Sequence, residues 1–122
     1  MSKKILIIED DTFLQGLVAT KLTKEGYEIS TASNGEEAVR VANEKSPDII
    51  LLDLVLPNMD GFEVLEKIRK TELLAKTPVI VFSNLAEEKD MAKALELGAS
   101  QYMVKSNFTL DELAEKIREV LA

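Results

Sequence analysis

Two short apolar runs, each stopping on acid, constrain this chain more than any other feature. Ile49-Ile50-Leu51-Leu52 is followed by Asp53, and Ile5-Leu6-Ile7-Ile8 by Glu9-Asp10-Asp11. Four consecutive apolar residues have no polar face, so each run predicts a strand buried on both sides, as in a parallel sheet. Each acid then stands where a strand ends and a loop begins, the edge at which open α/β sheets bind ligands. A lone Asp there reads first as a surface residue closing a strand. Two acidic ends on adjacent strands are different, because they put three or four carboxylates in one crevice. Like charges that close are costly unless a cation sits among them, and an oxygen-only cluster of this kind suits Mg²⁺. Pro78-Val79-Ile80-Val81-Phe82 is a third run and ends on Ser83, while Tyr102-Met103-Val104 ends on Lys105.

The rest of the chain fills the spaces between these strands. Phe13, Leu14, Leu17, Val18 and Leu22 recur at helical spacing, and Gly26 is placed to stop that helix. Tyr27, Ile29 and Thr31 alternate with Glu28 and Ser30, which predicts a half-exposed strand at a sheet edge. Ser33 or Asn34 can cap a second helix carrying Ala38, Val39 and Ala42 and ending before Pro47. A turn with Pro57 and Asp60-Gly61 precedes a third helix bearing Phe62, Leu65 and Ile68. Thr71 to Thr77 reads as a loop with a ragged helix end. Met91, Ala94 and Leu95 mark a fourth helix closed by Gly98, and Leu110, Leu113, Ala114, Ile117, Val120 and Leu121 a fifth. Strands alternating with helices argue for a parallel sheet covered on both faces, an α/β three-layer sandwich of the doubly wound, flavodoxin-like (βα)5 kind. The first, third and fourth strands are continuously apolar and belong in the middle. The order 2-1-3-4-5 satisfies that ranking and places its switch point between the two acid-ending strands.

Composition closes off several chemistries. The 122 residues contain no cysteine and no histidine, so thiolate catalysis, Cys- or His-ligated metals and a phosphohistidine on this chain are excluded. With 15 basic against 22 acidic residues the formal charge is −7, which argues against nucleic-acid or anionic-membrane binding by the bare domain. No run approaches transmembrane length, and Met1-Ser2-Lys3-Lys4 leads straight into the first strand, so a cytoplasmic protein is expected. No linker or repeat interrupts the chain, and residues 1–122 are expected to form a single domain.

Acid cluster, Asp, Ser and Lys, each at the C-terminal end of a strand and in this order, resemble the receiver domain of bacterial response regulators, the chemotaxis-regulator type included. The resemblance runs from Lys4 to Leu121 and implies specific roles. Asp53 would be the phosphoacceptor, its carboxylate oxygen attacking phosphorus to form an acyl phosphate. Asp10 and Asp53 would ligate Mg²⁺, or Mn²⁺ in its place, together with the backbone carbonyl of Val55, and Glu9 would act through a bound water. Asp11 can assist the metal or cap the first helix, and the cap is preferred. Lys105 would pair with the phosphoryl oxygens as a point charge and Ser83 would donate its hydroxyl to them. Ser83 and Tyr102 would form the switch, the ring moving inward as the hydroxyl is drawn to the phosphate. Val55 and Leu85 hold the two positions that overlook the path of a hydrolytic water, and neither side chain can hydrogen-bond to it.

On this resemblance the domain is a stand-alone switch and not a turnover enzyme. It would be fed by a sensor histidine kinase or phosphotransfer protein, and read by a protein target or a second copy through the fourth helix, fifth strand and fifth helix. The runner-up is a Mg²⁺-dependent phosphohydrolase working through an aspartyl phosphate. That chemistry needs a second acid two residues after the nucleophile, where this chain has Val55. Flavin binding on the same fold would set a phosphate against Glu9-Asp10-Asp11, which would repel it. One departure from the receiver pattern is Ser106, which stands where proline usually follows the lysine. A cis bond before serine costs roughly 2.5–4 kcal/mol, so a trans bond is expected there.

Overall fold

The computed structural model describes residues 2–122; Met1 lies outside them. Strands β1 (Lys4–Ile8), β2 (Glu28–Ala32), β3 (Ile49–Leu52), β4 (Val79–Ser83) and β5 (Gln101–Val104) form one sheet in the order β2-β1-β3-β4-β5. Every pairing is parallel, with Ile5 opposite Ile49, Ile50 opposite Val79 and Ile80 opposite Gln101. Helices α1 (Thr12–Lys24), α2 (Gly35–Lys45), α3 (Gly61–Lys70) and α4 (Glu88–Glu96) make the crossovers, and α5 (Leu110–Leu121) follows β5. This is the flavodoxin-like doubly wound sandwich expected from the alternation of apolar runs.

Successive strand residues point to opposite faces, and the core divides accordingly. Ile5, Ile7, Ile49, Leu51 and Ile80 pack with Val18 and Leu22 of α1 and with Leu113 and Ile117 of α5. Leu6, Ile8, Ile50, Leu52 and Val81 pack with α2, α3 and α4 through Ala38, Val64, Leu65, Ile68 and Ala94. Edge strand β2 is mostly exposed or half-buried, as its alternation predicts.

Two helical stripes lie differently from the spacing read in the sequence. Phe13 is 75 % exposed and Leu17 43 %, while Val18 and Leu22 are buried and Leu14 packs beside them. Leu95 is 51 % exposed, and Ala94 is the buried residue of α4. The reason is geometric: each helix meets the sheet along one stripe, and the residue next to a buried one is turned by about 100° around the axis. In α1 and α4 the stripe is narrow enough that Phe13, Leu17 and Leu95, the neighbours of Leu14, Val18 and Ala94, turn outward.

Helix starts follow ordinary capping chemistry. Asp11, Asn34, Asp60 and Thr109 each accept a hydrogen bond from the backbone N–H three residues on, at 3.0, 2.9, 3.0 and 3.1 Å. Asn34 rather than Ser33 is therefore the cap of α2. The Lys105–Ser106 peptide is trans, as expected, and Lys105–Asn107 form a 3-10 turn leading into α5. Arg69 fastens the opposite end of the sheet, donating to the carbonyls of Gly98, Leu74 and Thr77 at 2.8, 3.2 and 2.7 Å.

The loop after Asp53 is held by close backbone contact. Gly61 donates to the Leu54 carbonyl at 2.9 Å. A Cβ at Gly61 would stand 2.4 Å from Leu54 Cα and 2.6 Å from the Asp53 carbonyl oxygen, so the first turn of α3 presses on the backbone leaving β3. Gly61→Ala is expected to destabilise the domain by about 1–3 kcal/mol in urea denaturation, because backbone has to move. Gly16, in α1 with nothing within 4 Å of its Cβ position, supplies the contrast. Gly16→Ala should stabilise by roughly 0.5–1 kcal/mol. Equal effects of the two would refute the close-contact argument.

Candidate functional site

The C-terminal ends of β1, β3, β4 and β5 converge on Asp53. Its side chain is nearly buried, 5 % exposed, because Leu52 and Leu54 on either side are drawn into the core. Asp53 Oδ1 accepts from Ser83 Oγ at 2.9 Å and from the Val55 N–H at 3.1 Å. Asp53 Oδ2 accepts from Lys105 Nζ at 2.8 Å. Lys105 also reaches Glu9 Oε1 at 2.6 Å, and Glu9 Oε2 accepts from the Asp11 N–H at 3.1 Å. The lysine thus bridges two carboxylates contributed by two strands.

Asp10 is exposed and lines an open cleft of about 270 Å³ with Glu9, Asp11, Asp53, Val55, Asn84 and Lys105. Carboxylate oxygens of Glu9, Asp10 and Asp53 lie within 4.8 Å of one another. A carboxylate has about four lone-pair positions. Asp53 uses three on protein donors and Glu9 uses two, so both keep capacity for a further ligand. Even with Lys105 among them, three acids leave the cluster with excess negative charge. Hard oxygen donors, spare lone pairs and excess charge fit a Mg²⁺-sized cation.

Protonation follows from the same contacts. Burial holds the Glu9 carboxyl above its usual range, with Asp53 nearby adding to it and the Lys105 bond only partly offsetting both. Burial pulls the Lys105 ammonium down, but its bonds to Asp53 and Glu9 outweigh that and leave it raised. Lys105 therefore stays charged.

The site residues read from the sequence are brought together, with one difference in detail, at Leu85. Glu9 also ion-pairs with Lys105, a contact beside the water-mediated role expected of it. Of the two residues placed over the water path, Val55 is 54 % exposed and lines the cleft, while half-buried Leu85 packs against the core. Asn84 lines the cleft instead. Asp11 is the helix cap that was preferred. Tyr102 is half-buried, and its hydroxyl donates to the Leu85 carbonyl at 2.7 Å. The Glu9–Lys105 pair was missed, as was Gln15, whose amide meets the backbone at Glu9; no periodicity marks either.

The chain matches the response regulator receiver domain over residues 5–118. It is 40 % identical over 119 residues to a probable transcriptional regulator ycf27 of Pyropia yezoensis, covering 98 % of this chain and 47 % of that protein. It is 38 % identical over 121 residues to the alkaline phosphatase synthesis transcriptional regulatory protein PhoP of Bacillus subtilis, covering 99 % and 49 %. The chain thus spans about half the length of the curated relatives it matches. A CheY-like receiver domain protein from Methanospirillum hungatei superposes with a TM-score of 0.93 at 32 % identity, covering 99 % of this chain and 94 % of that one. The receiver domain of sensor histidine kinase PA1611 from Pseudomonas aeruginosa, solved with a magnesium ion coordinated in its active site cleft, gives 0.89 at 29 %, covering 99 % and 98 %. The chain belongs to the response regulator receiver family, the two-component signalling domains phosphorylated on aspartate.

Tyr102 offers a direct titration. Burial raises its phenol above the ordinary 10.0, and the charges of Asp90 and Asp53 add to the effect. The unfolded chain ionises first as pH rises, so this group's contribution is complete below pH 10 and is lost as pH climbs to the folded value. Spectrophotometric titration of wild type minus Tyr102→Phe should isolate a phenol ionising above pH 10. A Tyr102 signal at or below 10 would contradict the packing described.

Proposed function

We propose that Asp53 is the phosphoacceptor of a phosphorylation-driven switch, supplied by a sensor histidine kinase or phosphotransfer protein. The observation that supports this best is the convergence of Ser83 Oγ and Lys105 Nζ on the two oxygens of one nearly buried carboxylate. The donor's histidine lies outside residues 1–122, which contain none. An Asp53 oxygen attacks phosphorus, the oxygen–phosphorus bond forms and the nitrogen–phosphorus bond breaks. The leaving imidazole keeps its electron pair and is protonated from solvent. Lys105 and Ser83, already at hydrogen-bond distance from the attacked group, would turn to the new phosphoryl oxygens. Asp10, Asp53 and the Val55 carbonyl would hold Mg²⁺, with Glu9 assisting through water. Bound there, the cation would neutralise charge on the transferring group.

The same residues describe a switch and not a turnover enzyme. Asp53 and Val55 do not form the nucleophile-and-acid pair of an aspartyl-phosphate phosphohydrolase, because Val55 has no proton to give a leaving group. Output would pass through the face of α4, β5 and α5, where Tyr102 lies, to a protein target or a second copy. Phosphorylation would favour a state already accessible to the unmodified domain. Within residues 1–122 we assign one receiver domain. The names of the longer relatives speak of transcription, and that belongs to those proteins. The −7 charge of this chain favours protein over nucleic acid or membrane as what the domain itself touches. No helix among the described residues is long and apolar enough to cross a membrane. The cytoplasm is the compartment proposed.

Asp53→Asn should abolish labelling by a small acyl phosphate, and chelation of Mg²⁺ should do the same to the wild type. Undiminished labelling of Asp53→Asn would overturn the assignment.

Persistence of the phosphoryl group gives a second test. Val55, exposed at the cleft, can neither donate nor accept a side-chain bond to an attacking water. Val55→Asn supplies one, and a hydrogen bond of about 1 kcal/mol corresponds to roughly fivefold faster decay. Decay of the variant equal to or slower than wild type would remove the argument.

A further inference from the structure

Gln15, in the first turns of α1, turns back across the backbone of the site. Its Nε2 donates to the Glu9 carbonyl at 2.8 Å, the Ala32 carbonyl at 3.2 Å and Ser33 Oγ at 3.3 Å. An amide nitrogen carries two hydrogens, so three acceptors share them. Two of those acceptors are carbonyl oxygens, which fixes the NH₂ end as the one facing in. The acceptors lie where two strands leave the sheet. The Glu9 N–H closes on the Ala32 carbonyl at 3.0 Å, and the Ser33 N–H on Glu37 Oε1 at 2.8 Å. Gln15 thus gathers the end of β1, the turn into α2 and its own helix at one point.

That point bears on the acid cluster. Two of its three carboxylates, Glu9 and Asp10, hang from the segment that Gln15 holds, while the third is fixed separately by the Asp53 N–H on the Ile8 carbonyl at 3.0 Å. Carboxylates within 4.8 Å of one another repel, and the backbone has to hold them together for a cation to meet all three. The Glu9 carbonyl, where the chain leaves the sheet, is bonded by a side chain and not by a neighbouring strand. We infer that Gln15 sets the divalent-cation affinity of this site by holding the Glu9–Asp10 backbone where its carboxylates converge with Asp53. The inference rests on the proposed reading of the cluster as a Mg²⁺ site. Gln15 touches no carboxylate of the cluster, so its role is positioning, exerted through the main chain.

The test is calorimetric titration of the folded protein with Mg²⁺ and Mn²⁺, beside the melting temperature of each variant. Gln15→Met keeps length and shape without the donors, and should raise Kd about tenfold, the equivalent of ~1.4 kcal/mol. Gln15→Asn keeps the amide one methylene short and should weaken binding by a smaller factor; it serves if the Met variant does not fold. Thr109→Ala removes the cap of α5, far along the chain from the acids, and controls for lost stability alone: its melting temperature should fall with Kd unchanged. Wild type that binds Mg²⁺ while both Gln15 variants stay within twofold of it overturns the role of Gln15 and leaves the metal reading standing. Equal weakening by Thr109→Ala overturns it too, by assigning the effect to stability. A wild type that binds neither cation overturns the metal reading and this inference with it.

Discussion

A lysine bridging two buried carboxylates is the interaction on which the site depends. Glu9 and Asp53 are 4 and 5 % exposed, and at that depth their charges would repel one another strongly. Lys105 answers both at 2.6 and 2.8 Å. Its reach requires β1 and β3 to be neighbours and β5 to end level with them, one strand beyond β4. The order β2-β1-β3-β4-β5 meets that requirement, and the register carries it through, with Ser83 opposite Val104 immediately before Lys105. Removing one partner of such a group strands the others, which is why buried ionic clusters are costly to break even where their net stabilisation is small. The triad is still one positive charge short of neutrality, before exposed Asp10 is counted. That shortfall favours a cation in the crevice.

Much of this was legible because parallel strands buried on both faces leave an unusual trace. Ile5–Ile8, Ile49–Leu52 and Val79–Phe82 have no polar face, and the first polar residue after each marks the sheet edge where chemistry collects. Strand order followed from the same runs, since amphipathic β2 could only be an edge. The failures have a physical cause as well. Spacing in α1 and α4 identifies a helix but not which of two adjacent apolar residues meets the sheet, so Phe13, Leu17 and Leu95 share the helical spacing and yet lie outward. The pairing of Lys105 with Glu9 was hidden because it joins residues 96 positions apart through space, and residue type alone permits several partners. Gln15 was hidden for another reason. An amide on a helix between apolar residues reads as solvated unless the carbonyls waiting beneath it are known.

The backbone of Leu85 joins two parts of the site that the sequence places far apart. Its N–H approaches Ser83 Oγ at 3.4 Å, and its carbonyl accepts from the Tyr102 hydroxyl at 2.7 Å. Ser83 in turn donates to Asp53 at 2.9 Å. Asp53, Ser83, Leu85 and Tyr102 therefore form one chain of contacts from the buried carboxylate to the face of β5. Such a chain is the kind of element that a new anion at Asp53 can bias, because Ser83 has a single proton to donate. If that proton is drawn to another oxygen, both groups on Leu85 have to find new geometry, and the phenol with them.

The two ends of α4 are held unequally, and this limits how such a rearrangement spreads. At its start Glu87 makes no side-chain cap, and the preceding residues Asn84, Ala86 and Glu87 are exposed. At its end Arg69 donates twice to the Gly98 carbonyl, at 3.1 and 2.8 Å, and a Cβ at Gly98 would lie 2.7 Å from the Arg69 Nε. The same guanidinium holds Leu74 and Thr77, so loosening Gly98 would disturb three segments at once. A helix tethered at one end and uncapped at the other yields first at the free end. That end is the one joined to Ser83 and Leu85. A rearrangement passed from Ser83 to Leu85 therefore reaches the less constrained end of α4 before the end held by Arg69.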